Sequence, residues 1–489
     1  MDKIKSVMFS EKTYIDRRRA LCRLIEDEGG LVLLPGNGEA PANYPDNCYR
    51  FRQDSTFLYF AGIDALGLIA LIDLDEGREM LFGDDLTMND IIWTGPQPSV
   101  AELAARAGFK ESHPLARLEE TVRAAVGRGR KLHYLPPYRA DTLMQVAALA
   151  GIAPKGVREG ASAALALCVV ALRSVKSPEE VERIERACAI GYAMHTTAMR
   201  MARPGVTERE IMGAIEGIAL QQGAGVAFPS IVSQHGETMH NHSYNGVLER
   251  GRLLLVDAGA EEEMHYCSDF TRTTPVGGRF SPAQRDIYNI VLAANDLGRS
   301  LARPGALYLD IHLAAVTSIV EGLRGLSLMR GNPREAVAQG AHALFMPHGL
   351  GHMMGLDVHD MENIGEKYVG YDRKTARSER LGLASLRLGR RLQEGMAMTI
   401  EPGVYFIPAL VEKWRAEGTC RDFIDFEAVE RYVGLGAGSG SDSGANRSAG
   451  FGGIRIEDNI LITPTGSRLL GKRLPATAEE VEEACRAGS

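Results

Sequence analysis

No stretch of about 18 consecutive apolar residues occurs in this sequence, so nothing in it reads as a membrane-spanning helix. No two of its seven cysteines form a CxxC pair, and the seven are odd in number and widely scattered. That pattern excludes a thiolate zinc site and a disulfide framework, and it predicts reduced thiols in a cytoplasmic protein. A secretory leader is not expected either, because the opening MDKIKSVMFSEKTYIDRRRAL is charged throughout and has no apolar run. Positive charge is in deficit: 55 Lys and Arg stand against 63 Asp and Glu, a formal net charge of −8. Nucleic acids and anionic membranes both demand a basic footprint, so neither is an expected partner. An acidic chain suits a protein that holds divalent cations with carboxylates.

What is present is ordinary for a globular protein: 45% hydrophobic and 24% charged residues over 489 positions. At roughly 150 residues per domain this allows two to three domains. The expected organisation is a small α/β domain over residues 1–165 and a larger one over 170–480. Leu31–Leu34 and Leu68–Ile72 have the continuous apolar pattern of short buried strands, and the small residues of Glu159–Ala166 mark the boundary. Ser177-Pro178-Glu179-Glu180 supplies an N-cap, a first-turn proline and first-turn acids for a helix continuing through Val181, Ile184, Ala187 and Cys188. Thr207-x-x-Glu210 and Ser281-x-x-Gln284 are capping boxes that open two more helices. Ala202-Arg-Pro-Gly205 is echoed by Ala302-Arg-Pro-Gly305. LLLVDAG (253–259) is echoed by MAMTIEPG (396–403), each an apolar strand running into a carboxylate and then glycine. These echoes predict a duplicated architecture. Residues 434–450 are Gly/Ser-rich and read as a flexible insert. The basic run Lys367–Arg391 reads as a solvated loop and helix.

Acids and histidines gather at the ends of these strand patterns. Asp257 closes one apolar run. The chain turns through Glu261–Glu263 and returns as Tyr266-Cys-Ser-Asp269-Phe-Thr-Arg-Thr-Thr274, the pattern of a hairpin that brings Asp257 and Asp269 together. Two buried carboxylates repel, and they need a cation, a proton or a basic partner. His348-Gly-Leu-Gly-His352 and Gly355-Leu-Asp-Val-His359 set three histidines among glycines, a sign of close backbone approach rather than a helix face. Glu401 ends its strand, and Arg455 and Glu457 lie two apart on one strand face. Singly these signals are weak, since a strand-end Asp is usually a turn residue and a lone His is usually packed or solvated. As an ordered set, four acids and one imidazole suit manganese, cobalt, iron or zinc. Four carboxylates balance two divalent cations, and such a pair can activate a water, polarise a carbonyl and stabilise a tetrahedral oxyanion.

The runs VDAG…SDFTRTTPV, MPHGLGHMMGLDVHD, MTIEPGVYF and GGIRIEDN resemble the pita-bread metallopeptidases, and among them aminopeptidase P, the Xaa-Pro aminopeptidases. YRFRQDSTFLYFAGI (Tyr49–Ile63) and Ile92-Trp-Thr-Gly95 are similar to the noncatalytic N-domain of aminopeptidase P and prolidase. The resemblance implies an α/β (α+β) fold, with a small α/β N-terminal domain followed by a pita-bread catalytic domain. It implies two divalent ions, most often manganese. Asp257 would chelate one of them, Asp269 and Glu457 would bridge both, and His352 and Glu401 would complete the second site. It gives substrate-side roles to His240 and His359, with His242 competing for the role of His240, and supporting roles to His348 and Arg455. It implies substrates with proline at the second position and a homodimer or homotetramer. The Asp257–Asp269 interval is one residue longer than is usual in that family, and the Gly/Ser insert is additional. Prolidase shares the ligands but accepts only dipeptides. Some pita-bread domains have lost their ligands and become binding modules, whereas all five ligand positions are filled here.

Overall fold

The computed structural model describes residues 9–434 and 450–486. The Gly/Ser-rich insert lies outside these residues except at its two ends. The chain divides into two compact units, Met1–Ser174 with Met361–Tyr368, and Val175–Asp360 with Val369–Ser489.

A five-stranded sheet organises the first unit, in the spatial order Glu111–His113, Arg78–Phe82, Ile69–Asp73, Leu31–Pro35, Leu132–His133. The middle three strands are antiparallel, with Val32 opposite Ile72 and Leu71 opposite Met80. The outer two join in parallel. Both apolar runs seen in the sequence are inner strands, and burial on both faces explains why they show no polar alternation. Leu31, Leu33, Leu71 and Phe82 share one core with Leu118 and Val122 of helix Ala116–Val126 and Val146 of helix Ala140–Ala150. Within Tyr49–Ile63, Asp54 caps helix Ser55–Ala61, all of whose residues are buried.

The second unit uses one plan twice. Helix Pro178–Met201 is followed by Glu208–Gln222, and helix Pro282–Leu301 by Tyr308–Gly325. Three of the four open on the reciprocal caps legible in the sequence, Ser177 with Glu180, Thr207 with Glu210 and Ser281 with Gln284. Each satisfies orphan backbone donors and contributes about 1 kcal/mol. Ala-Arg-Pro-Gly connects both pairs, with Gly205 at φ 90° and Gly305 at φ 82°. The Gly205 N–H donates to Leu248 O and the Gly305 N–H to Leu392 O, each at 2.9 Å. Those carbonyls lie just ahead of strands Leu253–Ala258 and Ala397–Ile400, so turn and strand are tied alike in both halves.

Leu253–Ala258 sits between Phe270–Pro275 and Ile231–Ser233. Ala397–Ile400 borders Asp458–Ile462, which pairs onward with Ser467–Leu469. Gly403–Tyr405 and Gly453–Arg455 form a separate ribbon. A bridge from Thr271 to Glu457 links the two halves of this unit. Met194, Ile211, Ile215, Val232, Leu254 and Val256 pack one of its cores. Among the described residues no helix is long and apolar enough to cross a membrane.

Candidate metal centre

Asp257 lies on the first strand of an antiparallel pair and faces Thr271, while Asp269 immediately precedes the second strand. Residues 269, 271 and 273 alternate onto one face. Arg455 and Glu457 lie against that face: Glu457 N–H donates to Thr271 O at 3.0 Å, and Arg455 N–H to Thr273 Oγ1 at 3.1 Å. Glu401 follows strand Ala397–Ile400. Thr399 on that strand holds His352 twice, its N–H donating to His352 O at 3.0 Å and its Oγ1 receiving the His352 N–H at 3.1 Å. Gly351 permits this approach, because a Cβ there would lie 2.3 Å from Thr399 O and from the Tyr308 hydroxyl. Asn295 donates to Ile400 O at 2.9 Å and Ile456 O at 3.2 Å, which ties together the residues just before Glu401 and Glu457.

The four acids and the imidazole singled out in the sequence converge. Ligand atoms of Asp269, His352 and Glu457 lie within 4.8 Å of one another, and all three residues are buried. His352 Nε2 is 3.4 Å from Asp269 Oδ2 and 3.7 Å from Glu401 Oε1. Its Nδ1 is 3.0 Å from Met353 O. A carbonyl only accepts, so Nδ1 carries a proton, and Nε2 faces the carboxylates. An imidazole nitrogen facing two carboxylate oxygens needs either a second proton of its own or a cation between them. Asp257 Oδ1, Asp269 Oδ1 and Glu457 Oε1 are also buried without a hydrogen-bond donor among the described residues. Each such atom costs about 1–3 kcal/mol, more when charged, against a total stability of about 5–15 kcal/mol. Protons or cations must offset this. Hard carboxylate oxygens with one imidazole fit a divalent cation of the manganese, cobalt, iron or zinc class.

Burial, then the charge of Asp257, holds the Asp269 carboxyl well above its usual 3.8. Burial, then Asp269, Glu401 and Asp257, does the same to Glu457. Burial carries Glu401 to about 7. Arg455 counters part of this negative charge. Its Nη2 donates to Asp257 Oδ2 at 2.5 Å, its Nη1 to the Tyr405 hydroxyl at 2.8 Å and its Nε to Thr271 Oγ1 at 3.0 Å. A guanidinium only donates. Tyr405 therefore directs its own hydrogen to His348 Nε2, and Thr271 directs its hydrogen to Glu457 Oε2, both at 2.8 Å. His348 Nδ1–H reaches Gly349 O, also at 2.8 Å. His348 is thus a neutral imidazole with both nitrogens engaged, and burial followed by the Arg455 charge lowers its pKa to about 4.

These groups form the floor of a cleft of about 590 Å³. His240, His242 and His359 line it, beside Phe228, Ile231, Met239 and Val358. Burial lowers the pKa of His240, and Asp257, Arg455, His242 and His359 also act on it. His359 stands edge-on to His352, ring centroids 4.2 Å apart. Two contributors escaped the sequence reading. Thr271 and Tyr405 were each open to detection as the residue two beyond one already singled out, Asp269 and Gly403, along a strand. The expectation of a solvated run at Lys367–Arg391 holds for Lys367, Arg373, Lys374, Arg377, Arg380 and Arg391, which are exposed, and is corrected in one part: Leu381, Ser385 and Arg387 line the cleft. Leu386 and Leu388 are fully buried and anchor that wall, and their alternation with Arg387 was the signal.

Two family descriptions match the chain, Metallopeptidase family M24 over residues 182–464 and the N-terminal domain of aminopeptidase P over residues 14–133. The chain is 30% identical to the Xaa-Pro aminopeptidase of Escherichia coli K12 over 485 residues, covering 97% of each protein. It is 28% identical to human Xaa-Pro dipeptidase over 493 residues, covering 96% of this chain and 92% of that protein. In structure it is similar to the aminopeptidase PepP of Pseudomonas aeruginosa, at a TM-score of 0.77 with 27% identity over 99% of both chains. It is similar at the same TM-score to zinc-substituted E. coli aminopeptidase P in complex with product, with 28% identity over 99% of both chains. A match spanning more than half of the chain, over the acids and imidazole that converge here, shows that the chain belongs to metallopeptidase family M24, whose members are metal-dependent hydrolases, and that it carries the N-terminal domain of aminopeptidase P.

Proposed function

We propose that this chain is a dinuclear Xaa-Pro aminopeptidase, releasing the first residue from peptides whose second residue is proline. One observation carries the reading: Asp257, Asp269, His352, Glu401 and Glu457 meet at a cleft floor where three carboxylate oxygens have no donor among the described residues. In this reading Asp257 would chelate one cation, Asp269 and Glu457 would serve both, and His352 and Glu401 would complete the second position. Manganese is the favoured ion, with cobalt, zinc and iron as alternatives. When bound, the cations supply Lewis acidity, which makes a water nucleophilic near neutral pH and polarises the scissile carbonyl.

The chain's own residues do the rest. Arg455 donates to Asp257 Oδ2 and so orients this carboxylate, whose Oδ1 has no donor among the described residues. His240 and His359 line the cleft with the acids, where an imidazole can donate to a developing oxyanion and return a proton to the leaving proline nitrogen. His348 is unsuited to that task because its Nε2 already accepts from Tyr405. A bond before proline is a tertiary amide without an N–H, and the apolar wall of Phe228, Ile231, Met239 and Val358 suits recognition of the ring by shape. The seven cysteines, none of them in a disulfide, support a cytoplasmic setting, and the resemblance to aminopeptidase P supports a homodimeric or homotetrameric state.

Arg387 on the cleft wall supports a second reading, Xaa-Pro dipeptidase, since a guanidinium there suits the free carboxylate of a dipeptide. Purified, manganese-loaded protein should be assayed on an Xaa-Pro dipeptide and an Xaa-Pro-Xaa tripeptide. The first reading expects turnover of the tripeptide. Turnover confined to the dipeptide, with KM raised about tenfold or more in Arg387→Ala, replaces it by the second. Neither metal uptake nor turnover would revive a noncatalytic pita-bread module.

A further inference from the structure

The segment from Met353 to Asp360 closes on itself. Asp360 N–H donates to Met353 O at 2.9 Å and Gly355 N–H to Asp357 O at 3.0 Å, while Met353 bridges Met398 on the strand that leads to Glu401. The Asp360 carboxylate points into this loop. Its Oδ1 accepts from Asp357 N–H at 3.3 Å and its Oδ2 from Lys176 Nζ at 2.7 Å. The two side chains are 2% and 1% exposed. Lys176 is itself anchored, its N–H on Gly395 O at 2.8 Å and its neighbour Val175 bridging Met396. A Cβ at Gly355 would lie 2.5 Å from Asp360 Oδ2 and 2.8 Å from Lys176 Nζ, so the pair is packed against bare backbone. Neither partner lines the cleft.

A buried ion pair is a poor source of net stability, because the desolvation of two charges offsets their attraction; its best-attested use is to specify one arrangement. The arrangement specified here is the loop that carries His359 next to Asp360 and edge-on to His352. We propose that Lys176 and Asp360 are positioning residues for His359, closing the 353–360 loop so that this imidazole is held beside the metal-site ligand His352 at the cleft. The proposal rests on the role given to His359 above.

The double variant Lys176→Met/Asp360→Asn removes both charges and strands neither. It is compared with wild type, with His359→Ala and with the triple variant, measuring kcat, KM, bound metal per chain and the crystallographic position of residue 359. The proposal expects kcat in the double variant to fall roughly 10–100-fold, with KM and metal content unchanged and the His359 ring displaced from His352. The triple variant should be no slower than His359→Ala alone, because the pair acts through that ring. Wild-type kcat in the double variant, losses that multiply in the triple variant, or loss of metal would each overturn it. Unchanged turnover in His359→Ala would instead remove the role of His359, and the proposal with it. If the double variant does not fold, Lys176→Arg, which keeps the charge but moves its head, takes its place with the same expectations.

Discussion

Stripping the protein of divalent cations should make its stability fall as pH rises from about 5 to 8. Without cations Glu401 keeps its proton to about 7, whereas the ordinary glutamate value is 4.5. Below the lower value the group is protonated in folded and unfolded chains alike. Between the two the folded state binds more protons, so raising the pH favours unfolding. Above about 7 both states are ionised and the loss is complete. At about 1.36 kcal/mol for each pH unit between the two values, Glu401 alone accounts for roughly 3 kcal/mol. Asp269 and Glu457, raised by burial and by neighbouring carboxylates, act with the same sign. Cations reverse the effect, since they take only deprotonated ligands, and apparent affinity should rise about tenfold per pH unit for each proton displaced. The assay is calorimetric unfolding of chelator-dialysed and manganese-loaded protein across this interval. Their difference isolates these groups from the other titrations of the chain. A stabilisation by manganese that is equal at both ends of the interval, or larger at the acidic end, would refute the reasoning.

Asp269→Ala should leave the protein without bound metal and without turnover, because in the function proposed above it removes a carboxylate shared by both cations; near-normal activity with full metal content by mass spectrometry contradicts the site. His359→Ala should lower kcat by about 10²–10⁴-fold while the metals stay bound; metal loss in that variant would make His359 a ligand instead.

Much of this was legible because local chemistry and tertiary role coincide at particular residues. Ser177, Thr207 and Ser281 announce helix starts through bonds made within a single turn. Leu31–Leu34 and Leu68–Ile72 announce inner strands because both faces are covered. Asp257 and Asp269 could be paired from sequence because a hairpin is a short-range object. The strand position of Tyr405 is legible but its role is not, since that role exists only where Arg455, fifty residues on, directs a donor at its oxygen and thereby sets the tautomer of His348. Lys176 and Asp360 were invisible for the same reason, being 184 residues apart. The wall around Arg387 is hidden in the sequence because a basic run reads as solvated, whereas Leu386 and Leu388 beside it are core residues. Sequence patterns report which face of an element is buried, and they fall silent on which distant partner covers it.

The duplication explains why the acids come as they do. Each half delivers one carboxylate at the end of a strand, Asp257 or Glu401, and one just before a strand that pairs with it, Asp269 or Glu457. The bridge between Thr271 and Glu457 brings the two sets face to face. Such symmetry gathers negative charge without supplying any means of holding it, and two residues break it. Arg455 donates to Asp257 and reaches Glu457 through Thr271, while His352 adds an imidazole opposite Asp269 and Glu401. Four ionised carboxylates against one guanidinium leave three negative charges. One divalent cation leaves the floor negative, where a developing oxyanion would be repelled. Two cations leave it with one positive charge, the sign and size that a single oxyanion at the cleft floor neutralises. With all four carboxylates ionised, the charge of Arg455 therefore fits the pair of ions proposed above.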